Sequence, residues 1–156
     1  MTAWRMAFRD FADGPSFWDE CRQRGVAAIT YEPVADVDFS AHPTAHPTPG
    51  WYQLRPVEIG CLRHFINDVE VGDTIYAKEG PAIVGRGTVT GSYEFDAGGP
   101  IVPPNGRTAY HHQRRVQWDP DFQPVNVQVG HPPIQTILEL GPADVARIEG
   151  AHQRMP

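Results

Sequence analysis

Seven histidines, two cysteines and one lysine are the side chains of this 156-residue sequence with the most chemistry to offer, so their spacing is the first question. His42 and His46 stand four apart, the separation at which two imidazoles on a helix share one metal. Pro43 and Pro47 exclude that helix, which leaves loop histidines without a ligand set. His111 and His112 are adjacent, and on a strand they point to opposite faces, so at most one could serve a given pocket. Cys21 and Cys61 lack any CxxC or Cys/His spacing and read as two buried free thiols. The acidic pairs Asp19/Glu20 and Asp36/Asp38 are not tied to a shared site. No GxSxG is present, "EGPAIVGRGTV" has no Walker lysine, and Gly80, Gly85, Gly87 and Gly91 do not have the dinucleotide spacing. Neither a metal nor a cofactor is expected, and an enzyme is the weaker reading.

Cations and aromatic rings carry more. Lys78 is the single lysine, near the turn of a glycine-rich hairpin, and Arg86 lies on the hairpin's second strand. From Ala97 to Trp118 no acidic residue occurs, whereas Arg107, His111, His112, Arg114 and Arg115 all fall there. The net charge of −6 argues against broad, sequence-blind nucleic-acid binding but leaves room for this local basic face. Phe8, Trp4, Trp18, Tyr31, Trp51 and Tyr52 fall in the first third of the chain. Trp4 and Trp18 read as core. Trp51 and Tyr52 follow "HPTPG", a poor place for a continuous core strand, so one of these rings should be exposed or line a cavity.

These residues must be held by short elements. "AWRMAFRDF" alternates like a strand; "DGPSFWDECRQRG" changes to helical spacing, with Asp13 or Ser16 as a cap and Gly25 as terminator; "VAAITY" is an apolar strand. An irregular loop at about 33–52 contains "AHPT" twice. Ile59, Leu62, Phe65 and Ile66 have helical spacing. "GDTIYAKEGPAIVGRGTVTGSYEF" forms two strands around "EGP", the second one curved by its glycines. "AYHHQRRVQWD" is another strand, "NVQVG" a short apolar piece, and "GPADV" begins a C-terminal helix with Gly150 near its end.

With 16 Pro and 15 Gly, 40% apolar and 21% charged residues, the composition suits a turn-rich globular domain. The sequence predicts a single domain over 1–156 of the α+β class, a bent mixed β-barrel or sheet flanked by helices. No apolar run reaches bilayer length, and charges interrupt the N-terminus where a signal peptide needs its apolar segment, so a cytoplasmic protein without membrane contact is expected.

Taken in order, these segments resemble the EVE-like domains of the PUA-like superfamily. In that family a helix ends in a "GD" that opens a strand, as at Gly72-Asp73. The next strand carries "IVG.G.V", here Ile83 to Val89, and an aromatic residue follows, here Tyr93. A later strand has "V.W", here Val116 to Trp118. The likeness runs from about Trp4 to Trp118. It departs in the "AHPTAHPTPG" insertion and in the turn after the second strand, where Thr30-Tyr31-Glu32-Pro33 replaces a Trp-Asp-Gly type.

The resemblance implies a bent barrel that takes in one flipped, modified nucleobase, a methylated or hydroxymethylated cytosine or a methylated adenine, in DNA rather than RNA. Tyr31 and Trp51 would sandwich the base, Phe8 or Trp18 would form the floor, and Thr30 or Glu32 would bond its edge. Lys78, Arg86, Arg114 and Arg115 would meet the nucleic-acid backbone, although Lys78 reads equally as a solvated turn lysine. Of Arg114 and Arg115, one should face outward while the other braces the fold. The implied role is the non-catalytic sensor of a modification-dependent restriction system, with a nuclease as partner. The alternative is a small enzyme or RNA-binding domain using the same barrel for a nucleoside-like ligand.

Overall fold

A computed structural model describes residues 1–10, 14–41, 51–104, 108–129 and 136–155. Six strands form one sheet: β1 (Ala3–Ala7), β2 (Val26–Ile29), β3 (Thr74–Glu79), β4 (Ala82–Phe95), β5 (His112–Trp118) and β6 (Ile137–Leu140), in the order β2-β5-β4-β3-β1-β6. Only β1 and β3 run parallel; every other neighbouring pair is antiparallel. The sheet is mixed and curls into a half-barrel, flanked by helices α1 (Trp18–Arg24), α2 (Pro56–Arg63) and α3 (Pro142–Gln153). Among the described residues no helix is long and apolar enough to cross a membrane.

Alternation along β1 sets up two apolar layers. Trp4, Met6 and Phe8 face a large core with Trp18 and Cys21 of α1 and with Ile59, Leu62 and Phe65. Tyr76, Ile83 and Leu140 face a smaller one, closed by Phe122, Val125, Val129 and Ile148 of α3. Helix α2 continues into a π-helical turn, His64–Asp68. β6 is a strand the sequence reading leaves unassigned before the last helix, and that helix runs through Gly150 to Gln153. Val125, the residue before "NVQVG", bridges to Ile83, and residues 126–129 form no strand.

The expected hairpin forms, with Gly80 at φ +55° in its turn. Its second strand bends for identifiable reasons. A Cβ at Gly85 would sit 2.4 Å from the Trp18 indole, so only glycine lets that ring lie against the strand. Between Val89 and Tyr93 the pairing with β5 shifts register, and Arg114 is tied to the resulting bulge: its Nε donates to Gly91 O at 3.0 Å. The same guanidinium donates through Nη1 to Phe65 O at 3.1 Å and Val69 O at 2.8 Å, which fixes the end of the π turn to the sheet.

Candidate functional site

One side-chain bond links the two edges of the sheet. Tyr31, two residues past β2, donates its phenolic hydrogen to Oγ1 of Thr136, the residue before β6, at 3.1 Å. Thr136 is held from the other side, because its carbonyl accepts the Ala7 N–H at 2.8 Å. Cys61 of α2 is buried at this seam, its thiol 3.7 Å from Ile137 O. Burial, and then the neighbouring Cys61, push the Tyr31 phenol far above its ordinary range, so it stays a neutral donor.

Short 3-10 turns surround the seam. Tyr31, in extended backbone, precedes the turn Glu32–Val34, and that turn packs against Trp51–Gln53. Tyr52 and Gln53 hold φ +48° and +59°, a left-handed region that residues with a Cβ seldom adopt. Tyr52 is 45% exposed, and its ring meets Phe39 edge-on, centroids 6.3 Å apart. The sequence expectation that Trp51 or Tyr52 presents a ring to solvent is thus met by Tyr52. The Trp51 side chain, with His42 and His46, lies outside the described residues.

Behind Tyr52 is a stack that the sequence does not announce. The His112 ring lies near-parallel to Phe39 at 5.4 Å and to Tyr93 at 5.8 Å. His112 Nε2 is 2.9 Å from Val34 O, an acceptor, so Nε2 carries hydrogen and Nδ1 accepts from the Tyr93 hydroxyl at 2.7 Å. Tyr93 in turn accepts the Phe39 N–H at 3.2 Å. Burial drives the His112 pKa down and the Tyr93 pKa up to about 12, so the network is neutral. Its effect is to fix the turn Glu32–Val34 and a second 3-10 turn, Phe39–Ala41, against β4 and β5. Its one sequence trace is the His-His pair, whose parity was legible but not its facing.

Several expected site residues lie elsewhere. Phe8 and Trp18 are corrected to core: Phe8 contacts Phe17, Trp18 and Trp118, and Trp18 meets Trp118 edge-on at 4.7 Å, which leaves no face for a base. Thr30 is corrected on direction, because alternation from β2 puts it on the side of Ala28, opposite Tyr31 and Ile29. It is 8% exposed, and among the described residues its hydroxyl finds no hydrogen-bond partner. Glu32 is exposed on the turn after Tyr31.

The cations separate in the same way. Arg114 is corrected from a phosphate contact to an internal brace by its three carbonyl bonds and 3% exposure. Arg115 faces outward, as parity requires of its neighbour, and pairs with Glu94 at 3.6 Å. Arg86 is corrected as well: its guanidinium lies 2.5 Å from both Asp119 and Glu149 and 5.0 Å over the Phe122 ring. Glu149 also accepts the Tyr76 hydroxyl at 2.6 Å, so this cluster clamps α3 to the sheet. Beside it runs a polar groove of about 350 Å³ that touches Thr74, Thr88 and Gln117, and an apolar one of about 550 Å³ lies along Ala3, Leu140 and Val145. Neither groove includes Tyr31, Thr30, Phe8 or Trp18. Among the described residues no three His, Cys, Asp or Glu side chains are grouped to hold a metal.

Fold and site define a small α+β domain with a half-barrel sheet whose edges are linked by the Tyr31–Thr136 bond, with short turns beside it. A family model described as "Domain of unknown function (DUF8426)" matches residues 4–131, most of the chain, and the protein belongs to that family. Strand β6 and helix α3 lie beyond the matched span. No match was found among curated proteins.

Proposed function

We propose that this domain binds one modified nucleobase of a DNA strand, flipped out and stacked at the mouth of an EVE-like, PUA-like half-barrel. It acts as a sensor, and any strand cleavage is the work of a nuclease partner. The observation that carries the reading is Tyr52, an exposed residue held in left-handed backbone whose ring meets Phe39, which is itself stacked on His112. Backbone strain of this kind costs about 1–3 kcal/mol and persists where the surroundings enforce it, commonly at binding sites. Stacking a base on such a ring contributes about 1–3 kcal/mol, enough to offset much of the cost of unstacking it. Tyr31 stands at the neighbouring turn. A buried methyl adds only about 0.8 kcal/mol, so preference for a modified base must come from shape that penalises the unmodified one.

Tyr52→Gly tests this directly. Glycine adopts a positive φ without strain, so the variant should melt at the same temperature or higher. Its affinity for the preferred strand, measured by tryptophan fluorescence over short oligonucleotides that each carry one modified base, should fall about 10-fold or more. A stable Tyr52→Gly variant that binds as well as the parent removes the reading. Turnover of a nucleoside, with no oligonucleotide bound, replaces it with the enzyme alternative.

A further inference from the structure

We infer that Lys78 and Arg9 form a phosphate site at the seam end of the sheet, so that the ligand is held as a nucleotide, by its phosphodiester as well as its base. Only the base half of this statement rests on the function proposed above.

Register places the two cations together. Ala7 stands opposite Lys78, and Arg9 lies two residues past Ala7, on the same face by alternation. A bulge in β4 shifts the pairing between Ala77 and Lys78, a device that re-aims a side chain. Arg9 is exposed and Lys78 half-buried. Arg5, also on this face, is buried and donates to Val129 O at 2.9 Å; it adds positive potential without being a contact.

Lys78 and Arg9 lie together without counter-charge on an acidic chain; exposed Arg154, on the C-terminal side of α3, is likewise unpaired among the described residues but stands apart from them. Arg22, Arg24, Arg55, Arg86 and Arg115 each have a carboxylate within 4.0 Å. Among the described residues Lys78 and Arg9 have none; Lys78 makes no hydrogen bond, and Arg9 spends one Nη1 on Gly14 O at 3.1 Å. Glu79 is near enough for Arg9 to act on it electrostatically, but it is engaged by the Ser16 hydroxyl. Burial, then Arg5 and Arg9, hold the Lys78 ammonium below the usual lysine range. An anion bound between the cations relieves both effects.

The site also lies within reach of the seam. Thr136, which accepts from Tyr31, is bonded to Ala7, and Ala7 faces Lys78 across the next ladder. Two strand spacings, about 10 Å in all, separate the backbones of Thr136 and Lys78. A nucleotide and an extended lysine side chain together cover that span.

Because Lys78 is the only lysine, methylating the protein with ¹³C-formaldehyde labels one side chain besides the terminal amine. Titration with inorganic phosphate at constant ionic strength should move the Lys78 signal saturably and raise its pKa, and Arg9→Gln should weaken that response about 10-fold. In a second arm, a modified nucleoside 5′-monophosphate should bind at least about 10-fold tighter than its nucleoside, and Lys78→Gln should erase the difference. Lys78→Gln should also weaken modified and unmodified oligonucleotides equally, since phosphate contacts position without specifying. A Lys78 signal that ignores phosphate, or equal binding of nucleoside and monophosphate, overturns the site while leaving the base reading intact. A phosphate response without preference for any base supports the site and removes the base reading.

Discussion

The Tyr93 hydroxyl lies 2.7 Å from Nδ1 of His112, and the opposite nitrogen of that ring is bonded to Val34 O. Neither ring has room for an uncompensated charge, and burial lowers the His112 pKa from 6.5. Nearby His111 lowers it further, while the bond to Val34 and the charge of Asp38 raise it less than burial lowers it. The sign follows: both states are neutral well above 6.5, and as pH falls through that value the unfolded chain takes a proton that the native ring refuses. Stability should therefore be full near neutral pH and decline in acid, by up to about 1.4 kcal/mol per pH unit until the native ring titrates. Urea melts at several pH values should show this slope, and His112→Gln should flatten it relative to the parent. An unchanged slope in the variant assigns the acid loss to other groups, among them the Asp73 and Asp119 carboxylates that hydrogen bonds hold below their ordinary range.

Arg114 and Arg115 are neighbours with opposite consequences. Removing the Arg114 side chain strands three carbonyls, at Gly91, Phe65 and Val69, inside the fold. Arg114→Met should destabilise by roughly 2–5 kcal/mol, since each lost partner leaves a buried acceptor. Arg115→Ala loses one exposed ion pair and should change stability by less than about 1 kcal/mol. Paired thermal melts decide this; equal effects mean the burial assigned to Arg114 is wrong.

The same pair shows how far the sequence carries. Alternation in "AYHHQRRVQWD" says that one arginine and one histidine point inward, and Arg114 and His112 share parity, so a single choice settles both. That choice depends on how β5 pairs with a bulged β4, a long-range fact that local pattern does not contain. Strand β1 was legible because Trp4, Met6 and Phe8 alternate with small or charged residues. Strand β6 is four residues long and finds its place only by pairing with β1. The family resemblance implies Phe8 or Trp18 as the floor of a base pocket, whereas composition alone reads Trp18 as core, since large aromatics suit both. What decides between these is the company they keep: Trp118 lies far along the chain and closes the cluster.

Thr30 carries a buried hydroxyl that finds no partner. An unbonded hydroxyl in an apolar setting costs about 1–3 kcal/mol by mutational measures, so Thr30→Val, which keeps the shape, should raise stability by around 1 kcal/mol. A denaturant midpoint that falls instead shows that the hydroxyl is bonded in solution. Facing away from Tyr31, Thr30 should leave ligand affinity unchanged on replacement, and a loss of binding in a stable variant would return it to the site.

Tyr31 combines two roles that separate substitutions can divide. Its hydroxyl joins the sheet edges through Thr136, and the turn that follows it packs against the turn Trp51–Gln53. Tyr31→Phe removes the hydroxyl and keeps the ring, so it should lower stability by about 0.5–1.5 kcal/mol, the net worth of one hydrogen bond. If the ring stacks on a base, affinity in that variant should stay within about 3-fold of the parent. Tyr31→Ala removes the ring as well and should cost about 1–3 kcal/mol of binding, or 5- to 150-fold in affinity. That variant also opens a partly buried seam, so its binding is to be read at a temperature where circular dichroism shows it folded. A Phe variant that binds poorly while remaining folded means the ligand reads the hydroxyl. An Ala variant that binds normally makes Tyr31 the bolt of the half-barrel and nothing more, leaving Tyr52 to carry the stacking alone.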